Sequence, residues 1–339
     1  MQFVFGHLKL SPSYPKDKVA LKPLCEFLKF KRSIGKKSEL VVWVGDFTPQ
    51  ELLEIWGLVR QTNKVSILTV HISGANQSHS SLQAFFHFLT ESHQVEQLFM
   101  YYYHTSIDSS VPCLARCLQT NSSLKRLCVR FNGTYDNHNR HGFITALFPP
   151  PPSPSSSSSS LMRLDLSQCG LGLEGAEQLA GLLQQQQQAG QGLKELVLKG
   201  NAVGDSGAEA LALALRGNQT LVLLDLSQND LHCRACEGLG LLLLGNQTLQ
   251  TLELRANQIG TRGMALLEQV LRVGNCSLVA LDISRNPATF DLAHRLATHR
   301  RVSRLVMTLQ AAKWPSSPPT SAMRRLPTEL VRYLTCFLL

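Results

Sequence analysis

What the 339-residue chain lacks narrows it first. No apolar run approaches the roughly 20 residues a membrane-spanning helix needs. Residues 1–7 carry neither the charged nor the apolar region of a secretory signal. A cytoplasmic protein is expected. Nine scattered cysteines, an odd number, suit a reducing compartment. Cys233 and Cys236 form a C-x-x-C with no second pair at zinc spacing, and His138 and His141 have no obvious carboxylate or cysteine beside them. No metal site is expected from either pair. Gly35-Lys36-Lys37-Ser38 fails as a phosphate loop, because G-x-x-x-x-G-K-[ST] needs Gly where Phe30 stands and Ser or Thr where Lys37 stands. With no nucleophile, base and orienting group to nominate, no catalytic residue, cofactor or small-molecule substrate is expected.

What is present is a repeat. Leu193-Lys194-Glu195-Leu196-Val197-Leu198-Lys199-Gly200-Asn201 returns at 221–229 and again at 249–257, two steps of 28 residues. A period of that length is the signature of a stacked solenoid, whose function lies on a surface. In L-x-x-L-x-L the leucines alternate on a short strand and point into the stack, leaving the residues between them facing out. The Asn that follows bonds the backbone of the turn, so Asn201, Asn229, Asn257 and Asn286 are expected to be buried. A helix comes next, with small residues in its first turn (Gly207-Ala208, Gly263-Met264-Ala265) that let it lie close to the strand layer. Extended outward, the template puts first strand positions at Phe5, Lys37, Val65, Val95, Leu124, Leu161, Leu278 and Val302.

Gly217-Asn218-Gln219-Thr220-Leu221, its copy at 245–249, Leu164-Asp165-Leu166-Ser167-Gln168 with its copy at 224–228, and the helix starts Gly175-Ala176-Glu177 and Gly207-Ala208-Glu209 resemble the ribonuclease-inhibitor class of leucine-rich repeats. The repeat parts of NLR immune receptors and the Ran GTPase-activating proteins share that class. The resemblance implies an α/β fold: a right-handed solenoid, or horseshoe, with a parallel β-sheet on its concave face and helices on its convex face. It implies no single activity. It covers the repeats only, and the acidic tail expected of the Ran type is missing.

The chain then divides into an N-terminal cap or degenerate repeat (1–36), the solenoid (37–310), a linker (311–325) and a short amphipathic helix (326–339). Pro149 to Ser160 and Gln184 to Gln188 are low-complexity insertions read as loops between a helix and the next strand. The net charge of +9 gathers at both ends, from Lys16 to Lys37 and from Arg295 to Arg332. A basic stripe of this kind binds nucleic acid or an acidic membrane. The polar outer face that end repeats must present accounts for it better, so nucleic acid is not expected.

The outward strand positions form a wall. In order they are Val41 and Trp43, Thr69 and His71, Phe99 and Tyr101, Cys128 and Arg130, Asp165 and Ser167, Val197 and Lys199, Asp225 and Ser227, Glu253 and Arg255, Asp282 and Ser284. Its N-terminal half is aromatic; its C-terminal half carries Asp165, Asp225, Glu253 and Asp282. Trp43, His71, Phe99, Tyr101 and Arg130 with that acidic column are the expected contacts for a protein partner, since exposed Trp, Tyr and Arg concentrate binding energy. The competing readings are aromatics turned inward and acids that are merely part of the repeat pattern.

Three readings compete for the tail. Pro327 near a helix start, with Leu330, Leu334, Phe337 and Leu338 at helical spacing, makes an amphipathic helix that caps the last repeat. Leu326-Pro327-Thr328-Glu329-Leu330 with Leu334 resembles the opening of an F-box and the close of a SOCS box, which implies an adaptor of a cullin ubiquitin ligase as partner. The helices that complete either box are not evident. Cys336-Phe337-Leu338-Leu339 fits C-a-a-X prenylation at Cys336, with nearby arginines as a second membrane signal. The expected protein is a nonenzymatic, monomeric protein-binding scaffold. The alternatives are a ligase substrate receptor, and a GTPase regulator or membrane-tethered effector.

Overall fold

In the computed structural model the described residues are 3–4, 7–10, 38–44, 48–62, 65–73, 79–103, 111–132, 140–147, 161–187, 192–273, 277–287 and 306–307. They form one sheet of twelve strands in chain order: β1 (Phe3–Val4), β2 (His7–Leu10), β3 (Ser38–Trp43), β4 (Val65–Ser73), β5 (Gln97–Tyr103), β6 (Arg126–Asn132), β7 (Arg163–Asp165), β8 (Glu195–Val197), β9 (Leu223–Asp225), β10 (Thr251–Glu253), β11 (Ala280–Asp282) and β12 (Val306–Met307). Only β1 pairs antiparallel, with β2; all other neighbours are parallel. Between them run α1 (Pro49–Thr62), α2 (His79–Glu91), α3 (Val111–Thr120), α4 (Arg140–Leu147), α5 (Gly172–Gln187), α6 (Gly204–Leu215), α7 (Ala235–Gly245) and α8 (Thr261–Val273). Each helix packs on the next.

Parallel strands joined through helices turn right-handed. Strands stack about 4.8 Å apart whereas helices need about 8–10 Å, so the helix layer takes the longer arc and the sheet lines the concave side. The expected α/β solenoid is therefore what the chain forms.

The core lies between the two layers. Leu164, Leu166, Leu196, Leu198, Leu224, Leu226, Leu252, Leu254, Leu281 and Ile283 are fully buried, as the alternation demands. Full burial of each contributes about 1.5–3 kcal/mol. In the N-terminal half aromatic residues take a larger share of the interior. Trp56 of α1 stacks on Phe88 of α2 at 5.0 Å, and Phe85 and Phe86 are buried beside them.

Two ladders of buried amides tie one repeat to the next. Asn229 accepts from the N–H groups of Asn201 (2.9 Å) and Val203, and donates to the carbonyls of Leu198 (2.9 Å) and Ser227. Asn257 holds the N–H groups of Asn229 and Leu231 and the carbonyls of Leu226 and Leu254 in the same way. Asn201 and Asn286 continue the series. Cys169 occupies the equivalent place one repeat earlier, its thiol donating to the Val129 carbonyl at 3.2 Å. The second ladder precedes the strands. Asn246 donates to the carbonyls of Leu215 and Asn218 and accepts from Thr248 and Leu249, while Asn121 does the same with Leu89, Ser92, Ser123 and Leu124.

The residue before each member of the first ladder is left-handed: Gln168, Gly200, Gln228, Ala256 and Arg285, with φ between 55° and 70°. Only Gly200 occupies that region without steric cost. The asparagine bonds on either side hold the other four there.

The structure differs from the sequence expectations in four places. Gln184 to Gln187 extend α5 as helix and are not a loop, because glutamine is a good helix former and prolongs a helix already set by the buried Leu179 and Leu183. The last strand pairs Val306 with Ala280 and Met307 with Leu281, two residues later than a first position at Val302 requires. A two-residue shift preserves which side chains share a face, so the pattern of apolar letters does not detect it. The small residues at helix starts do not chiefly serve the strand layer. A Cβ on Gly207 would stand 3.0 Å from Ala176 Cβ of α5 and 2.7 Å from Val203 Cγ1 in its own preceding turn, so they permit close approach of helix to helix. Finally, β4 to β6 run seven to nine residues where three were enough downstream. The insertion at 149–160, His138, the basic stretches from Lys16 to Lys37 and from Arg295 to Arg304, and the tail with Leu326, Pro327, Leu330, Leu334 and Cys336 lie outside the described residues.

Asn229→Ala, which strands several buried backbone groups, is expected to cost about 3 kcal/mol in urea unfolding, and Leu224→Ala about 2–5 kcal/mol. Gln228→Gly, one residue away, is expected to raise stability by about 0.5 kcal/mol, the relief of the left-handed strain less the entropy of glycine.

Candidate functional site on the concave sheet face

Strand register places the outward residues in straight rows. Trp43 pairs with His71, His71 with Tyr101 and Tyr101 with Arg130. Val41, Thr69, Phe99, Cys128, Asp165, Val197, Asp225, Glu253 and Asp282 make the row beside it. The aromatics face out. Trp43, His71, Phe99 and Tyr101 are half-buried, while Tyr102, between two outward tyrosines, is fully buried.

The outward rings stack across strands. Trp43 and His71 lie 4.2 Å apart with planes 8° from parallel, and His71 and Tyr101 lie 5.0 Å apart at 14°. Tyr103, two residues beyond Tyr101, joins them through its hydroxyl, 3.1 Å from His71 Nδ1, and by stacking on Trp43 at 5.6 Å. Parallel rings at strand spacing form because residues directly opposite on paired strands meet side by side. Arg130 ends the row. Its guanidinium stands 3.8 Å from the Asp165 carboxylate, and below both the Cys128 thiol is pushed up to about 12 by burial first and by Asp165 second. Burial likewise raises the Tyr101 hydroxyl above its ordinary value. A thiol so protonated is a small apolar filler, not a nucleophile.

The acidic column follows the order expected from the repeat. Val197 separates Asp165 from Asp225, leaving Asp225, Glu253 and Asp282 contiguous on β9, β10 and β11. Asp165, Asp225 and Asp282 each accept the N–H of the serine two residues on, at 3.0, 2.8 and 2.9 Å, and so close the turn that ends the strand. Part of the column is thus turn chemistry. Glu253 has a raised carboxyl pKa from burial, then from Asp225 and Asp282, with Lys199 opposing.

Two sets of residues escaped the sequence reading. Tyr103 belongs to the ring cluster, and an alternation carried one step past Tyr101 finds it. A third row runs Glu39, Ile67, Gln97, Arg126, Arg163, Glu195 and Leu223, one step before the first inward leucine pair ends. Glu39 accepts from the Thr69 hydroxyl at 3.1 Å, and Arg163 pairs with Glu195. Among the described residues no cluster of His, Cys, Asp and Glu is arranged to hold a metal ion, and no helix is long and apolar enough to cross a membrane.

Because the folded chain holds the Glu253 proton more tightly than the unfolded chain does, stability falls as pH rises through the window above the ordinary glutamate value. Glu253→Gln is expected to melt at a higher temperature than the parent at neutral pH. The difference should vanish as the pH is lowered below the carboxylate range, read by thermal melts across pH.

The family described as Leucine Rich repeat matches the chain at residues 157–180, 193–212 and 245–267. No curated protein matches it. The matched segments span β7, β8 and β10 with parts of the helices that follow them, where the first amide ladder runs. The chain is thus an α/β solenoid carrying leucine-rich repeats.

Proposed function

We propose that the chain is a nonenzymatic scaffold that grips a protein partner on the concave face of its sheet. Repeats of this kind fit protein-interaction scaffolds. The observation that carries the reading is the row of Trp43, His71 and Tyr101, stacked and half-open to solvent on one sheet face. Rings held by their neighbours lose little conformational freedom when a partner covers them, and Trp, Tyr and Arg are the residues in which interface energy concentrates. Phe99, Arg130 and Asp165 extend the surface toward its centre, and Asp225, Glu253 and Asp282 supply its acidic end. The scaffold acts as a monomer in the cytoplasm, its partner a protein and not nucleic acid.

A second reading rests on the letters of the tail. Leu326, Pro327, Leu330 and Leu334 would recruit a ligase adaptor, making the repeats a substrate receptor; Cys336 would alternatively carry a prenyl group and bring the chain to a membrane. A chain ending at Pro319 separates these in affinity purification. Loss of cullin components from the shortened form alone favours the receptor, and loss of membrane association reproduced by Cys336→Ser favours the lipid.

Trp43→Ala or Tyr101→Ala is expected to weaken a purified partner by about 2 kcal/mol, roughly thirtyfold, with the melting transition retained. Unchanged affinity in both would move the contact off this face.

A further inference from the structure

The middle of the wall holds an arrangement that the free chain gains nothing from. Arg126 of β6 and Arg163 of β7 are paired directly opposite one another, with their backbones about 4.8 Å apart. Like charges so placed on neighbouring strands destabilise a sheet. Glu195, on the far side of Arg163, compensates that residue. Arg130, four positions along β6, is compensated by Asp165. Arg126 faces Gln97 on its other side and is exposed, and no carboxylate pairs with it among the described residues. One positive charge is left over at the centre of the concave face, beside a second cation.

The neighbourhood is partly apolar. Phe99, two residues beyond Gln97 on β5, stands half-buried on the same face next to Cys128, and Tyr101 follows it. Two forked guanidiniums side by side favour a carboxylate that each can hold through paired N–H donors. An apolar side chain close to that carboxylate would rest on Phe99.

We infer that the partner segment seated on this wall is acidic, placing an Asp or Glu carboxylate between Arg126 and Arg163 and an aromatic or aliphatic side chain on Phe99 and Tyr101. This rests on the concave-face reading above and adds the partner's chemistry to it. A protein segment fits better than a nucleic acid. An extended polyanion needs a run of cations along its backbone, whereas Glu195, Asp165 and the Asp225–Glu253–Asp282 column lie on the same face and would repel it.

The test is selection of peptides from an unbiased display library on the full-length chain, followed by fluorescence titration of synthesised winners. Winners are expected to be enriched in Asp or Glu next to an apolar residue, and to lose affinity in Trp43→Ala. Arg126→Glu, at an exposed position, is expected to lower their affinity roughly tenfold or more, with a melting transition no lower than the parent's, since the substitution removes the like-charge pair with Arg163. Replacing the peptide's acidic residue by Lys should restore binding to Arg126→Glu. Winners that depend on Trp43 but carry no acidic enrichment, or that ignore Arg126→Glu, overturn this inference and leave the scaffold reading standing. A selection yielding no binder sensitive to Trp43→Ala overturns both. A single-stranded oligonucleotide of matching length that binds more tightly than every winner, and loses affinity in Arg126→Glu, assigns the site to nucleic acid instead.

Discussion

A carboxamide bonded on both sides, once to its own turn and once to the backbone of the repeat before it, is the contact from which the rest of this structure follows. Where Asn229 holds the N–H groups of Asn201 and Val203, the distance between repeats is set by hydrogen-bond length. The strands have only three residues there and make few ladder bonds of their own. A buried amide without partners would cost far more than a bonded one returns, so the asparagines enforce register more strongly than they add stability. They also hold neighbouring residues left-handed, which turns the chain sharply out of the sheet and ends the strand after a single outward pair.

In the N-terminal half the same need is met differently. There β4, β5 and β6 continue for several residues past the point at which the later strands turn, and backbone pairing does what the asparagines do downstream. Cys169 marks the crossing from one solution to the other, with a thiol donating where the carboxamides donate later. Longer strands bring more side chains to the outward face. The ring cluster is a product of that extra length: Tyr103 exists as a wall residue only because β5 runs on. The half with the broader wall is thus also the half with the aromatic surface.

Much of this was written in the letters. Leucines at period two decide which residues face out, and a one-residue slip would turn every side chain over, so the sequence alone places Val41 to Asp282 in a single row. The burial of Asn201, Asn229, Asn257 and Asn286 followed from their place after the last inward leucine. Other features do not leave such a mark. Glutamine reads as low complexity whether it sits in a loop or continues α5. A two-residue slip at β12 conserves the facing pattern. Cys169 substitutes for asparagine with a group whose packing role is usually apolar. Arg126 stands one step before Leu127, the first inward leucine of β6, and only strand pairing reveals that Arg163 lies opposite it. Val197 after Asp165 is legible in the repeat, whereas the pairing of Asp165 with Arg130 depends on how the two side chains meet.

The amides that precede the strands have one more implication. Asn121, Asn218 and Asn246 each begin an Asn-x-Ser or Asn-x-Thr triplet, the acceptor pattern for oligosaccharide transfer. All three are buried, and the side-chain nitrogens of Asn121 and Asn246 are already committed to carbonyls of the preceding turn. A sugar attached there would displace those bonds and wedge adjacent coils apart. The folded chain and a glycosylated chain at these triplets are mutually exclusive products.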